Sequence, residues 1–297
     1  MEKNSFIDLH THSYCSDGTF SPEGIVLLAK QQGLGAVALT DHDTIEGLAQ
    51  FLMAGAKHGI ETIPGIELAA QCQSFHQPEL HIVGLGFNPN AAIWAAQTQI
   101  MQQSRHSRNI KMAAQLTAIG LPLTIEELLQ NAGGEIITRA HFANVLLKKG
   151  YIRTRDEAFS KYLSQGLPGY VPKILLTPAQ CIQTIHAAGG ISILAHPTLY
   201  HLAQDQLDLL CEELVSLGLD GIECFYSAYS PSQRKNMMKL AKKHDLYPSG
   251  GSDFHGENKP LISLGTGRGN LAIPYSLWEN MKQGIEAFNN NTGESLI

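Results

Sequence analysis

The chain has 297 residues, 43% of them hydrophobic and 16% charged, with a formal net charge of −6. That composition suits one large α/β domain, with or without an insertion, and the acidic balance excludes wholesale wrapping of nucleic acid. No apolar run reaches the roughly 18 residues that read as a membrane helix, and Met1 to Ser5 leads toward a strand rather than a signal peptide, so a cytoplasmic protein is expected. Cys15, Cys72, Cys181, Cys211 and Cys224 are scattered without a CxxC pair, which predicts reduced thiols rather than a disulfide framework or a thiolate zinc site.

The first apolar run carries Asp8, His10 and His12 at alternate positions, so a strand there would present all three on one face. Ser21-Pro22-Glu23 opens a helix that stops at Gly33. Residues 35–40 form a buried strand that delivers Asp41-His42-Asp43, residues 44–57 a second helix, residues 62–68 a strand ending near Glu67, and residues 80–87 a strand carrying His81. From Ala91 the alternation stops. A long Gln- and Ala-rich helix runs to about Gly120, Thr124 with Glu127 and Thr154 with Glu157 form capping boxes, and Gly133-Gly134, Gly150 and a turn at 166–169 punctuate the stretch.

Alternation resumes at Thr177-Pro178. A helix ending at Gly189-Gly190 leads to a strand at 191–195 closed by His196-Pro197. A helix at 204–217, a strand at 219–225, a helix at 231–244 and a strand at 246–250 follow, the last running into Gly251-Ser252-Asp253-Phe254-His255. Seven strands separated mainly by helices imply a largely parallel sheet, and ligand-type residues at several strand ends favour closing it into a barrel. The chain divides into a barrel, 1–90 with 174–297, and a helical insertion, 91–173. The insertion holds ten Lys/Arg against five Asp/Glu, net +5, which leaves the barrel at −11.

Mixed imidazole and carboxylate groups suit Mn²⁺, Fe²⁺ or Zn²⁺. Each candidate has a plainer alternative: His81 could be a satisfied core histidine, Asp253 and His255 turn residues, and Asp17 part of an Asp-Gly turn. Asp8 and Asp41 read either as groups orienting imidazoles or as turn and cap residues, and Asp43 and Glu223 as further acids behind the site, with Tyr226 near Glu223. Arg139 and His141 open an insertion helix, where a guanidinium and a helix N-terminus can hold phosphate.

The ordered series DLHTH, SDGTFSP, LTDHD, PGIE, LHIVG, LAHP and GSDFH resembles the PHP (polymerase and histidinol phosphatase) superfamily. The resemblance implies a distorted seven-stranded TIM-like β/α barrel with two or three divalent ions, Mn²⁺ first among the candidates. It puts His10, His12, Glu67 and Asp253 around one ion, has Glu67 bridge to a second held by His81 and His196, and gives Asp17, His42 and His255 to a third. Glu67, Asp253 and His255 are then catalytic, and a hydroxide between the ions attacks phosphorus.

The segments TRAHFANVL, KYLSQGLPGYVP and AAGGISILAHP are similar to the subgroup of nucleoside 3′,5′-bisphosphate phosphatases and a 5′ to 3′ exoribonuclease. This implies a small nucleotide or short RNA 5′ end as substrate, Arg139 and His141 as phosphate contacts, and neither a membrane nor an obligate protein partner. Histidinol-phosphate phosphatase and a metal-stabilised binding module without turnover are the rival readings. The charge partition suggests that the insertion is a basic lid.

Overall fold

In a computed structural model, residues 6–72, 74, 79–132, 137–172 and 175–292 are described. Met1 to Ser5, His76, Gly133-Gly134 and the 173/174 boundary lie outside the described residues.

Eight strands occur in the spatial order β7 (Tyr247–Gly251), β6 (Gly221–Tyr226), β5 (Ile191–Leu194), β4 (Leu80–Leu85), β3 (Glu61–Ala70), β2 (Ala36–Leu39), β1 (Phe6–Asp8), β8 (Ile273–Pro274). The first seven close into a barrel because the chain beyond β1 meets β7 and its extension. Leu9 N–H donates to Gly250 C=O at 3.2 Å, Asp253 N–H to His10 C=O at 2.9 Å, and His12 N–H to Phe254 C=O at 2.9 Å. Gly251 makes this seam possible, since a Cβ there would lie 2.5 Å from the His10 nitrogen and 2.8 Å from its Cα. The eighth strand, which sequence reading did not anticipate, pairs antiparallel with β1 outside the ring.

One strand breaks the parallel pattern: β4 is antiparallel to both β3 and β5. Its first residues therefore lie on the rim where the parallel strands end, and His81 pairs with Ala69 near the end of β3.

Helices α1 (Pro22–Gln31), α2 (Leu48–His58), α7 (Pro178–Ala187), α8 (Gln204–Ser216) and α9 (Pro231–Lys243) cover the outside of the barrel, packing Ile25, Phe51, Ile185, Leu210 and Leu240 against Val37, Ile66, Ile82 and Ile222. Their starts follow local chemistry. The Ser21 hydroxyl accepts from Gly24 N–H with proline at the first helical position, and Thr177 with Gln180 and Ser230 with Gln233 form capping boxes. α2 begins at Leu48 rather than 44, because Asp43 takes a left-handed φ of 53° and turns its carboxylate to Ala69 N–H.

The barrel interior holds Ile7, Ala38, Ile63, Val83, Leu85 and Ile193. The C-terminal helix α10 (Ser276–Thr292) plugs the end opposite the rim with Trp278, Met281 and Ile285. Glu61, at the start of β3, clamps this helix by accepting from Tyr275, Trp278 and Lys282. Helices α3 (Ile93–Ala118), α4 (Ile125–Ala132), α5 (Arg139–Lys148) and α6 (Arg155–Ala158), with a π-helical turn at Phe159–Leu163, bury Met112, Leu116, Leu128, Phe142 and Leu146 in a core of their own.

Candidate metal centre

The barrel rim gathers all nine ligand candidates. Glu67, 1% exposed, sits at the middle. Its Oε2 lies 3.2 Å from His10 Nε2, 3.3 Å from His12 Nε2 and 3.0 Å from His42 Nδ1, and its Oε1 lies 2.7 Å from His81 Nδ1 and 2.9 Å from His196 Nε2. Asp253 Oδ1 meets His12 Nε2 at 3.3 Å and His255 Nδ1 at 3.4 Å, while Asp17 Oδ1 meets His255 Nε2 at 3.2 Å and His42 Nε2 at 3.9 Å. His196 and Asp253 hold φ of 31° and 58° to aim their side chains inward, a strained conformation of the kind that collects at functional sites.

Three sets bring ligand atoms within 4.8 Å of one another: His10, His12 and Glu67; His42, Glu67 and His81; and His12, Asp17, His42 and His255. His12 and His42 thus each stand in two sets. β1 ends at Asp8, so His10 and His12 reach the centre through pairing with the 250–254 segment rather than by alternation along a strand.

The donor set fits divalent cations. Glu67 Oε2, Asp17 Oδ1, His12 Nδ1 and His196 Nδ1 are buried without a hydrogen-bond partner among the described residues, a costly state that a cation relieves. His10 Nε2 and His12 Nε2 face each other at 3.1 Å, while His10 Nδ1 donates to Glu223 Oε1 at 2.8 Å, which turns its other nitrogen toward the cluster. Burial would raise the Glu67 carboxyl, yet the imidazoles of His42, His81 and His10 hold it well below the usual range. Burial opposes protonation of His12 and His81, but the carboxylates of Asp253 and Glu67, as acceptors, lift the first to about 9, and Glu67 lifts the second to about 10. The carboxylates thus favour positive charge beside His12 and His81, whereas burial pushes His42 down to about 3 and lowers His255.

The acids around it divide by partner. Glu223 meets an imidazole. Asp8 instead accepts from the backbone N–H groups of His10, Ser252 and Gly265, and Asp41 accepts from the Ser13 N–H and the hydroxyls of Ser13 and Ser16, so both fasten loops. Asp43 pairs with Arg105 of α3. Tyr226 donates to Asp253 Oδ2 at 2.7 Å.

Beside the centre opens a cavity of about 150 Å³ lined by Asp17, His42, Glu79, His81, Arg105, Arg108, Thr138, Arg139, Ala140 and Phe159. Three guanidiniums face it. Arg108 is 5% exposed and hydrogen-bonds only Asn109 Oδ1 and the Ile137 carbonyl, with no carboxylate paired to it among the described residues. Burial and the charges of Arg105 and Arg139 push it down to about 9. Arg139 lies over the Tyr170 ring at 5.7 Å. His141, expected to contact phosphate, is 2% exposed and accepts from Thr138 N–H at 3.1 Å as part of the α5 cap. Sequence reading missed Arg105, Arg108, Glu79 and Lys259. The available signal was Arg105 and Arg108 three residues apart, on one face of a helix read only as Gln- and Ala-rich.

The chain belongs to the PHP domain family, whose model matches residues 8–174. It is a phosphoric ester hydrolase of that family, built as an α/β barrel. It is 36% identical over 248 residues to a 5′-3′ exoribonuclease of Haemophilus influenzae, covering 84% of this chain and 89% of that one. It is 31% identical over 280 residues to a 3′,5′-nucleoside bisphosphate phosphatase of Chromobacterium violaceum, covering 94% and 97%. A solved structure from Bifidobacterium adolescentis, described as a metal-dependent phosphoesterase, matches with a TM-score of 0.81 at 28% identity over 93% and 94% of the two chains.

Proposed function

We propose that the protein hydrolyses nucleotide phosphates that carry a second phosphate, either a nucleoside 3′,5′-bisphosphate or the 5′ end of short RNA. The observation that carries this reading is the juxtaposition of the Glu67-centred cluster with an arginine-lined cavity. His10, His12, Asp17, His42, Glu67, His81, His196, Asp253 and His255 would hold two or three divalent ions, Mn²⁺ before Fe²⁺ or Zn²⁺ for a set of imidazoles and carboxylates without thiolate. Bound there, such ions supply a water-derived nucleophile near neutral pH and charge for the phosphoryl oxygens.

The chain's own groups do the rest. Arg108 and Arg139 anchor the phosphate that is not cleaved, as charge-assisted donors lining the cavity beside the cluster. Thr138 adds a buried hydroxyl at the N-terminus of α5. Glu223 keeps His10 oriented. The segment 91–173 acts as the lid that brings the arginines to the rim, and the compartment is the cytoplasm, in keeping with five unpaired cysteines.

The test is phosphate release from Mn²⁺-reconstituted protein with 3′,5′-bisphosphates, nucleoside monophosphates, histidinol phosphate and short 5′-phosphorylated RNA. Substrates with a second phosphate should exceed the monophosphates in kcat/KM by at least about tenfold, the worth of one charge-assisted contact. Glu67→Gln should lower the metal content and cut turnover by about a thousandfold or more, since the metals contribute several kcal/mol. Histidinol phosphate as the one good substrate would overturn the reading.

A further inference from the structure

Lys259 lies four residues past His255, just after the short helical turn Gly256–Asn258, and its Nζ is 2.5 Å from Asp253 Oδ2. The Tyr226 hydroxyl donates to the same oxygen at 2.7 Å. Two donors therefore occupy one oxygen of Asp253 and leave Oδ1 to face His12 and His255 at 3.3 and 3.4 Å.

We propose that Lys259 is a positioning residue for Asp253. It confines the carboxylate to one-oxygen contact with the centre and, as a positive charge one carboxylate away, loosens the centre's hold on its ions. This rests on the reading of Asp253 as a metal ligand. The two actions have opposite signs. As a brace, the lysine favours binding by holding Oδ1 inward, a task that Tyr226 shares. As a charge, it repels a divalent ion across the width of a carboxylate. Asp253 is only 4% exposed but the Lys259 side chain is 37% exposed, so solvent screens part of that repulsion; at an effective dielectric near 20, which allows for such screening, it still exceeds the worth of one shared hydrogen bond. The charge wins. An ion whose ligand is partly neutralised by the lysine keeps more of its own charge for a phosphoryl oxygen.

Mn²⁺ alone, titrated into the metal-free wild type and the variants Lys259→Met, Lys259→Arg and Asp253→Asn, with free Mn²⁺ counted by electron paramagnetic resonance, decides the matter. Lys259→Met should bind Mn²⁺ at least about tenfold more tightly. Lys259→Arg should match the wild type, and Asp253→Asn should bind at least about tenfold more weakly. A merely structural lysine would give the reverse sign, so Lys259→Met binding equally or more weakly, with Asp253→Asn weakened as expected, overturns the proposal alone. Asp253→Asn at wild-type affinity removes the ligand reading beneath it. Lys259→Gln carries the same expectation and replaces Lys259→Met if that variant does not fold.

Discussion

Arg108 is a charge held where charge is costly. Its guanidinium is buried between two others of the same sign, and its hydrogen bonds go to an amide and a carbonyl rather than to a carboxylate. Stability alone would not retain it. Arg108→Met should leave thermal stability unchanged or slightly raised while increasing KM for a 3′,5′-bisphosphate about tenfold to a hundredfold. A single-phosphate ester should change little, so an equal loss on both substrates would assign Arg108 to the scissile group or to the fold. At this scale most of the nine ligand candidates were legible because they end an apolar run or follow it directly, whereas His81, which opens one, and Asp17, which lies in a polar turn, were legible only as members of the ordered motif series. Asp8 and Asp41 were harder to read. A carboxylate looks the same in sequence whether it meets an imidazole or a backbone N–H, and Asp8 finds its partners at Ser252 and Gly265, more than 240 residues away. Arg108 was hidden by composition, since its turn of α3 is as polar as an exposed helix.

The helix α5 has an imidazole where a capping carboxylate would be usual. His141 Nδ1 must stay unprotonated to accept from Thr138 N–H, and burial, with help from Arg155 and Arg105, pushes the imidazole down to about 4. The sign follows from linkage. Above the unfolded value of about 6.5 both states are neutral, and as pH falls toward 4 the unfolded chain takes up a proton that the folded one refuses. The wild type should therefore lose on the order of 2 kcal/mol by pH 5 relative to His141→Gln, which keeps a capping acceptor without titrating. Urea unfolding at pH 7 and pH 5 checks this, and parallel losses in both proteins would exclude the cap as the source. Helix positions were largely readable from caps and glycines. The direction of β4 was not, because alternation has the same period whichever way a strand runs. β8 and α10 escaped because they lie beyond the last ligand motif and become recognisable only as a pairing partner for β1 and a plug for the barrel.

The whole molecule is held by one seam that joins residues some 240 positions apart. Gly251→Ala should cost about 3 kcal/mol or more, because the added methyl meets the backbone of His10, where nothing can rotate away. Gly33→Ala, at φ 72° with nothing within 4 Å, is the control that carries conformational strain alone and should cost only about 1 kcal/mol. Equal losses in urea would mean that the seam is not tight. The charge partition also looks different in three dimensions. Lys149 is paired with Glu127 at 2.7 Å, and Arg155 is tied to the barrel through the Asn258 side chain at 2.7 Å and its carbonyl at 3.0 Å. Asn258 in turn donates to the Asp17 carbonyl at 2.7 Å. Part of the insertion's positive charge, that of Arg155, therefore fastens it to the loop that carries Asp17.

The seam also has a consequence in time. During translation His10 and His12 emerge first, whereas Asp253 and Phe254, whose backbone groups fix them, emerge roughly 10–50 s later at ordinary elongation rates. Until then the nascent chain carries only part of the cluster. The ring closes only once the last strand is free of the ribosome. Ions held by these residues would thus be chosen by the finished barrel from the surrounding pool, not by whichever cation first meets the amino-terminal histidines.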